Sequence, residues 1–279
     1  MTETANAAMA EYWNQSAGPV WVAMQAQLDR QTEPLGRAAM RALDPNPGER
    51  VLDIGCGCGQ TAWELAAAVG PSGQVAAVDI SAPMLEFART RGDPSASARP
   101  SFRLADAQTA DLGAAEFDAA FSRFGVMFFA DPAAAFGNIA KALKLGGRLA
   151  FVCWRPYAEN PLMRAPAEAA AAFLPPVAPP DPTAPGPFAY ADPARVRAIL
   201  GDAGFSDIAV EPYDTKVGGA DLEGALALAL RVGPLGAAIR ENPSLVDRVA
   251  PVVRGRLADY LTPEGVMLPA AVWIVTARV

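Results

Sequence analysis

The chain has 279 residues, of which 52% are hydrophobic and 19% charged, and its formal net charge is −7. This composition excludes a disordered chain, and the acidic balance argues against nucleic acid as a partner because phosphates would be repelled. The count of zero histidines excludes catalytic triads built on imidazole and zinc sites that need His ligands. Any proton transfer must therefore use another side chain.

The three cysteines predict neither a disulfide framework nor a metal site. Cys56 and Cys58 are separated by one residue and Cys153 lies far away, so no C-x-x-C pair is present. The first ten residues lack the pattern of a signal peptide, and the longest uncharged apolar stretch, 265–277, is shorter than the roughly 20 residues that span a bilayer. We therefore expect a cytoplasmic protein with no membrane span; an oligomer is possible but not indicated.

Apolar spacing over 11–43 predicts helices, so residues 1–48 are expected to form an N-terminal helical extension. Residues 49–154 then alternate between strand and helix patterns. The predicted strands lie at 51–54, 74–78, 101–104, 117–121 and 148–153, and the predicted helices at 61–69, 84–91 and 132–143. This alternation predicts a doubly wound α/β sheet that is mostly parallel.

Beyond residue 154 two segments look like insertions into this pattern. Residues 155–191 are rich in Pro and Ala, and the pairs Pro175-Pro176 and Pro179-Pro180 should break any long helix. The core pattern resumes in 192–215 with a helix and a sixth strand at 208–213, then 216–264 predict a helical insertion and 265–279 a seventh strand. Both insertions follow carboxyl ends of strands, where open α/β sheets bind ligands, so we expect them to form a lid.

Glycines alternate in the run Gly55-Cys56-Gly57-Cys58-Gly59, at a strand-to-helix turn that follows Asp53. Missing side chains let the backbone pass close to a ligand. Asp79 ends the next strand, where a doubly wound sheet places a carboxylate that accepts hydrogen bonds from ribose hydroxyls. Together these features predict a cofactor that contains adenosine.

Two classes of cofactor compete for this loop. A nicotinamide oxidoreductase would need a third small residue where the chain has Gln60, and the carboxylate of Asp53 beside the loop would repel a pyrophosphate. A positively charged ligand is compatible with that carboxylate. The loop therefore favours a cationic cofactor over a dinucleotide.

The run from Asp53 to Gly59 resembles the first motif of the class I S-adenosylmethionine-dependent methyltransferases, Asp/Glu-x-Gly-x-Gly-x-Gly. Later motifs of this family resemble residues 78–85, 105–107, 117–124 and 145–149, so the resemblance covers about 50–153. Within the family, the motifs are most similar to those of the branch that includes the ubiquinone and menaquinone-biosynthesis methyltransferases. The resemblance implies a Rossmann-like sheet of seven strands with an antiparallel last strand and helical lid insertions. It also implies S-adenosylmethionine as cofactor, S-adenosylhomocysteine as product and no metal.

The resemblance further implies which residues surround the cofactor. The glycine loop would wrap the methionine part, with an acid before it and an amide after it, and later segments would hold the ribose, the adenine and its edge. The residues around the methionine part are Asp53, Gly55, Cys56, Gly57, Gly59 and Gln60. Asp79 would hold the ribose, Ile80 and Met84 would flank the adenine, and Asp106 and Ala107 would contact its edge. Ser122 would face the amino-acid portion through its carbonyl.

Each of these residues also has a possible structural role. Asp53 and Asp79 could cap a helix or stabilise a loop, and Trp13 could pack on its own helix instead of meeting the sulfonium in a cation–π contact. Arg123 could form a surface salt bridge or attract an anionic group of the substrate. These alternatives stay open at the level of the sequence.

The expected reaction is in-line methyl transfer to a small molecule that is apolar or aromatic, with alignment and exclusion of water as the protein's main tasks. Without histidine, the weak candidates for a catalytic role are Arg123, Tyr12, Tyr157, Glu159 and Tyr190. Pocket motifs indicate binding and not transfer. A non-methylating or non-enzymatic protein that binds S-adenosylmethionine is therefore the alternative.

Overall fold

One twisted sheet runs through the chain in a computed structural model that describes residues 6–92, 96, 98–175 and 181–279. Its strands are β1 Arg50–Ile54, β2 Gln74–Asp79, β3 Ser101–Leu104, β4 Phe117–Arg123, β5 Leu143–Trp154, β6 Ser206–Ala220, β7 Leu261–Thr262 and β8 Gly265–Arg278. The order is β3-β2-β1-β4-β5-β8-β6, β8 is antiparallel to both its neighbours, and the short β7 pairs with β8. The predicted doubly wound sheet with an antiparallel last strand is confirmed; β7 is an additional strand.

Helices cover both faces of the sheet, and three of them precede its first strand in the chain. They are α1 Ala7–Glu11, α2 Ala17–Ala23, α3 Gln25–Leu43, α4 Gln60–Val69, α5 Ala82–Thr90, α6 Pro132–Ala142, α7 Pro161–Ala170, α8 Pro193–Asp202, α9 Leu222–Ala229, α10 Gly233–Glu241 and α11 Val246–Ala258. A π-helical turn, Tyr12–Ser16, joins α1 to α2, and short 3₁₀ turns occupy Val126–Phe128, Tyr157–Glu159, Ala171–Phe173 and Pro243–Leu245.

The central strands are apolar because both of their faces are covered by helices. Phe121 of β4, Phe136 of α6 and Phe151 of β5 are at most 1% exposed and belong to one large hydrophobic core. Aspartates start several helices: the side chain of Asp131 accepts a bond from Ala134 N, which satisfies a helical N–H that would otherwise lack a partner.

A second hydrophobic cluster, which we call the lid core, is separate from the large core and lies around the first part of β8. Its buried members are Ala165, Ala170, Leu235, Ile239, Leu245, Val249, Val253, Leu257, Val266 and Leu268. They come from α7, α10, α11, the 3₁₀ turn before α11 and the first part of β8. The helices of the two inserted segments therefore pack on one another, as expected of a lid.

The sixth strand is longer than the sequence pattern predicts. β6 continues past Tyr213 and pairs with β8 as far as Ala220, with an irregularity at Gly218 and Gly219. The two glycines have φ values of +139° and +85°, so they form a bulge within the ladder where the sequence predicted the start of a helical insertion. Of the predicted helix-breaking prolines, Pro176, Pro179 and Pro180 lie outside the described residues.

Across the described ranges, no single helix has the length and hydropathy to cross a membrane. The pair α9 and α10, which bend by 60° at the break between them, meets that test only when the two are taken together.

Leu35 shows how the N-terminal extension is attached, since this side chain of α3 is fully buried in the core of the sheet. Leu35→Ala should lower the free energy of unfolding by about 2–5 kcal/mol, because it removes buried methyl groups and leaves a cavity. Urea unfolding measures the change. Leu145→Ala is the matched control: Leu145 is 94% exposed, so its loss should change stability by less than about 0.5 kcal/mol. Equal effects at the two positions would contradict this attachment.

Candidate functional site

The glycine loop joins β1 to α4. Three of its residues have backbone conformations that residues other than glycine rarely adopt. Gly55, Gly57 and Gly59 have φ values of +66°, +55° and +81°. A Cβ on Gly55 would lie 2.7 Å from Cα of Gly125, and one on Gly57 would lie 2.8 Å from Cε of Met84. The loop is therefore held close to its neighbours, and only glycine fits there.

Asp79, at the end of β2, ties the glycine loop to the segment that follows β2. Its Oδ2 accepts a bond from Gly57 N at 2.7 Å, and its Oδ1 accepts one from Ser81 N at 2.8 Å. Burial raises the pKa of this carboxyl, while the two N–H bonds act in the opposite direction. Each carboxylate oxygen has a second lone pair, so the group can still accept bonds from a ligand.

The N-terminal helices lie against the same segment. Asn14, in the π-helical turn, donates to Ile80 O and accepts from Ala82 N, each at 2.9 Å. Ser81 Oγ donates to Trp13 O at 2.8 Å. A Cβ on Gly18 would lie 2.0 Å from Trp13 O, so close approach requires glycine there too. These contacts hold the N-terminal helices over the ends of the strands; the sequence motifs gave no sign of Asn14.

A cavity of about 120 Å³, which we call the loop cavity, opens beside the glycine loop. Most of the residues that sequence reasoning assigned to the cofactor line it: Trp13, Gly55, Cys56, Gly57, Asp79, Ile80, Met84, Asp106 and Ala107. Asp53, Gly59, Gln60 and Ser122 do not line it. All the described lining residues lie within 6–129 of the chain.

Asp53 lies beneath the glycine loop. Its side chain is fully buried; Oδ2 accepts a bond from Thr61 Oγ1 at 2.7 Å, and Oδ1 has no partner among the described residues. Burial raises the pKa of Asp53 to about 7, although the Thr61 bond and the charge of Arg123 lower it. A nearby positive charge would therefore favour the ionised form.

Gly59 and Ser122 are explained by packing. A Cβ on Gly59 would lie 2.9 Å from Cβ of Ala88, so this glycine lets α5 approach the loop. The buried Ser122 donates from Oγ to Ile54 O at 2.7 Å and accepts from Gly125 N at 3.2 Å. Ser122 thus fixes the ends of β1 and β4 against each other.

Arg123 belongs to a largely buried charged network and does not lie on the surface. Its side chain is 13% exposed; Nη1 donates to Gln60 Oε1 at 2.5 Å, and Nη2 lies 3.5 Å from Oδ1 of Asp29. Asp29, on α3, also binds Arg91 at 2.8 Å. Burial lowers the pKa of Arg123, against the effect of Asp29. A Cβ on Gly36 would lie 2.8 Å from Arg123 Cδ, so glycine at this position lets α3 lie close over the Arg123 side chain.

Asp29 and Arg123 both line the loop cavity and neither lines the second cavity described below. The salt bridge expected for Arg123 is therefore present, but it is largely buried and does not lie on the surface. Arg123 lies beside the glycine loop, and its expected contact with a substrate group stays a prediction. Asp29 was missed because a lone acid on an amphipathic helix carries no motif.

A larger cavity of about 650 Å³, the lid cavity, lies between the N-terminal helices, the ends of the strands and the lid. Its aromatic lining residues are Tyr12, Trp13, Trp21, Phe124, Phe128, Trp154, Tyr157 and Phe188. The residues that line both cavities are Met9, Trp13, Trp21, Thr32, Phe124 and Phe128. The two cavities therefore share a wall, which we call the junction.

Phe124 at the junction has an unusual backbone. Its φ of +63° is one that non-glycine residues adopt rarely and at a cost of about 1–3 kcal/mol. The ring stacks on Trp154, with centroids 4.4 Å apart and planes 8° apart, while Phe128 meets Trp13 edge to face at 5.0 Å. Strained residues of this kind often occur where a ligand is held.

The candidate catalytic residues separate into two groups. Tyr12 and Tyr157 line the lid cavity, and burial raises the pKa of Tyr157. Glu159 pairs with Arg155 and lines neither cavity. Tyr190 is 1% exposed in the core of the sheet and also lines neither cavity, so its position corrects the expectation that it could contact a substrate.

The described residues contain no group of three or more His, Cys, Asp or Glu side chains that could hold a metal ion. Cys56, Cys58 and Cys153 are buried and free. Burial raises the pKa of Cys58 to about 12, so this thiol stays protonated at neutral pH.

Comparison with known proteins finds a family of domains that matches the segment containing the glycine loop. Residues 51–147 match a family model described as a methyltransferase domain. Aklanonic acid methyltransferase DauC from Streptomyces sp. (strain C5) is 37% identical over 118 residues, 42% of this chain and 54% of that protein. Nocamycin O-methyltransferase from Saccharothrix syringae is 31% identical over 116 residues, 42% of this chain and 41% of that protein. The chain thus spans about half the length of these curated relatives.

Among solved structures, the YcgJ protein from Bacillus subtilis aligns with a TM-score of 0.58 and 15% identity, covering 88% of this chain and 98% of that one. At this identity the likeness concerns the fold alone. Together with the family model, these matches confirm the resemblance inferred from the glycine loop.

The pKa of Asp53 has a consequence for stability. An aspartate whose pKa is raised from 3.8 to about 7 on folding binds protons more tightly in the native state, so its contribution to stability is complete below about pH 4 and is lost as pH rises towards 7. Asp53→Asn should therefore flatten the fall of the unfolding free energy between about pH 5 and 7.5, a fall on the order of 2–4 kcal/mol. Urea unfolding of both proteins at several pH values measures this difference.

Asp118→Asn is the control for that experiment. Partial burial acts to raise the pKa of Asp118, but bonds from Arg50 N and Lys144 hold the pKa below its usual value. Asp118 is thus ionised in both states across the tested range, and its replacement should change stability equally at every pH. A fall of equal slope in wild type and Asp53→Asn would contradict the assignment to Asp53.

Proposed function

We propose that this chain, whose residues 51–147 match a family model described as a methyltransferase domain, transfers a methyl group from S-adenosylmethionine to an oxygen of a small molecule that is apolar or aromatic. The observation that carries the proposal is the junction. It joins a cavity built on the glycine loop to a larger cavity with mainly apolar walls, so a methyl donor and an acceptor can meet there.

The residues of the loop cavity fit this cofactor chemically. Asp79 retains lone pairs for ribose hydroxyls, and Ile80 and Met84 offer apolar contact for the adenine. Gly57 leaves room where a Cβ would fill the cradle, and a positively charged ligand would favour the ionised form of Asp53, whose Oδ1 has no partner among the described residues. When bound, S-adenosylmethionine supplies an electrophilic methyl group on a positively charged sulfur, which the ionised carboxylate stabilises.

Arg123 and Asp29 suit the amino-acid end of the cofactor. Arg123 can donate to its carboxylate, and Asp29 can accept from its ammonium, because both side chains line the loop cavity and neither is fully exposed. Gln60 accepts a hydrogen bond from the Arg123 guanidinium through its Oε1 and so helps to orient it. In this arrangement Arg123 binds the methyl donor, whereas the sequence suggested a contact with the acceptor.

The acceptor enters from the lid cavity and presents its oxygen at the junction. In the transfer, the bond from oxygen to the methyl carbon forms as the bond from sulfur to that carbon breaks, so the wall residues must align the acceptor and exclude water. Trp13, Phe124 and Phe128 present aromatic faces and no acid or base there. An acceptor that ionises readily, such as a phenol or an enol, can lose its proton without a strong base from the protein. Tyr12 and Tyr157 are the tyrosines that line the lid cavity.

The choice of oxygen rests on the relatives, two of which are named as methyltransferases of aklanonic acid and, at oxygen, of nocamycin. Aromatic lining residues support an acceptor with fused rings or a similar apolar body. The alternative, a protein that binds S-adenosylmethionine without transferring its methyl group, has the same loop cavity and is separated from the proposal by turnover alone.

Arg123→Gln tests the assignment of the amino-acid end. Its affinity for S-adenosylhomocysteine should fall by about tenfold or more, since a charge-assisted hydrogen bond is lost. Its affinity for 5′-methylthioadenosine, which lacks the amino-acid part, should stay within about twofold, because the contacts to adenosine are unchanged. Calorimetric titration of both ligands measures the two affinities.

Arg103→Gln is the control, because Arg103 is exposed and donates only to Asp111 O among the described residues. It should bind both ligands as the wild type does. An equal loss of both ligands in Arg123→Gln would indicate that the loop cavity is distorted, and unchanged binding of both would contradict the assignment.

The proposed function is tested by titrating the protein with S-adenosylmethionine, S-adenosylhomocysteine and NAD(H) in parallel. At about 100 times Kd, each adenosyl ligand should add roughly 2.7 kcal/mol to the free energy of unfolding, seen as a higher melting temperature, and NAD(H) should add nothing. Formation of S-adenosylhomocysteine is then followed with phenols, quinols and enols.

Stabilisation by NAD(H) alone would overturn the proposal in favour of an oxidoreductase. Tight binding of the adenosyl ligands without turnover of any acceptor would favour the non-methylating alternative. Asp79→Asn offers a check, since loss of the ribose contact should weaken both adenosyl ligands together.

A further inference from the structure

We propose that Arg30 makes this site selective for acidic acceptors, by binding a carboxylate of an aromatic or apolar molecule at the α3 wall of the lid cavity. The inference deepens the proposed function, on which it rests, because it concerns the acceptor of that reaction. Arg30 lines the lid cavity and does not line the loop cavity, so the carboxylate that it binds is not the group presented at the junction.

Arg30 lies in a polar stripe on one face of α3. Gln27, Arg30 and Gln31 are three and four residues apart, a spacing that places them together on a helix, and all three line the lid cavity. The side chain of Arg30 crosses from α3 to the end of β6, where Nη1 donates to Gly219 O at 3.3 Å. Arg30 is exposed, so the guanidinium stands at the solvent edge of the cavity, between α3 and the end of β6.

Arg30 is the only charged residue among the described residues that line the lid cavity. Within the described ranges, no carboxylate lies within 4.0 Å of its side chain. Three other arginines on or against α3 are paired: Arg37 binds Glu33 at 2.7 Å, and Arg91 and Arg123 share Asp29. An exposed cation without a counter-ion at the edge of an apolar cavity can pair with an anionic group of a ligand.

The two glutamines extend this recognition. Neither the Gln27 nor the Gln31 side chain makes a hydrogen bond to another described residue, so their amide groups are available to a ligand. A guanidinium presents parallel N–H groups that match the two oxygens of a carboxylate. The rest of the cavity wall is mainly apolar and suits the rings of the same molecule. The stripe thus fits one carboxylate on an otherwise apolar body.

The chain's net charge makes a local cation favourable for such a ligand. At −7 the protein as a whole repels an acid, and a positive group at the site offsets this repulsion for a carboxylate. Among the described lining residues, only Arg30 can supply it to the lid cavity.

The test compares matched acids and amides: anthraquinone-2-carboxylate against anthraquinone-2-carboxamide, and 1-hydroxy-2-naphthoate against its carboxamide. Each compound is titrated calorimetrically into free protein and into protein saturated with S-adenosylhomocysteine. The wild type should bind at least one acid about tenfold or more tightly than its amide. Arg30→Gln should lose that preference, while its affinity for the amide and for S-adenosylhomocysteine stays within about twofold.

Two further variants locate the effect. Arg41→Gln changes an exposed arginine on the same helix that lines neither cavity, so it should keep the full preference. Arg30→Lys keeps the positive charge but lacks the planar guanidinium, so it should keep part of the preference for the acid over its amide.

The proposal is overturned if the wild type binds neither acid, if it does not prefer an acid to its amide, or if Arg30→Gln keeps the wild-type preference. Failure of S-adenosylhomocysteine to bind would contradict the proposed function separately, since the titrations on free protein still measure the preference due to Arg30.

Discussion

The carboxylate of Asp79 is the contact on which the site depends. It accepts one backbone N–H from the glycine loop and another from the segment after β2, and so it holds two strand ends at a fixed distance. The same segment then receives Asn14 from the N-terminal helices. Three stretches of chain that are distant in sequence are therefore positioned through one buried acid and the backbone bonds around it.

Placing acids in this interior has an electrostatic cost that the fold meets in different ways. Asp79 is satisfied by backbone N–H groups, and Asp29 by two arginines. Asp53 accepts a hydrogen bond only from the Thr61 hydroxyl among the described residues, and its pKa of about 7 reflects burial with so few hydrogen-bond partners. Negative charge is thus partly balanced at one end of the loop cavity and left unbalanced beneath the glycine loop, an arrangement that suits a ligand carrying both signs of charge.

The sequence predicted those parts of the fold and site that depend on local spacing. The strand and helix alternation, the glycine loop and Asp79 each lie in a short segment whose pattern has a direct structural meaning. Asp29, Asn14 and Arg30 lie on helices whose polar faces carry no motif, so only the packing of those helices shows what they approach. Sequence reasoning also could not show which cavity Arg123 would reach, or that Tyr190 would be enclosed in the core.

The walls of the two cavities are encoded by different parts of the chain. Every described residue of the loop cavity precedes residue 130, whereas the lid cavity takes much of its wall from residues 154–268. The N-terminal helices and the junction are common to both. Replacement of the later segments can therefore alter the shape of the outer chamber without disturbing the inner one. A scaffold divided in this way can diversify the compounds that it accepts while a single inner chamber is inherited unchanged.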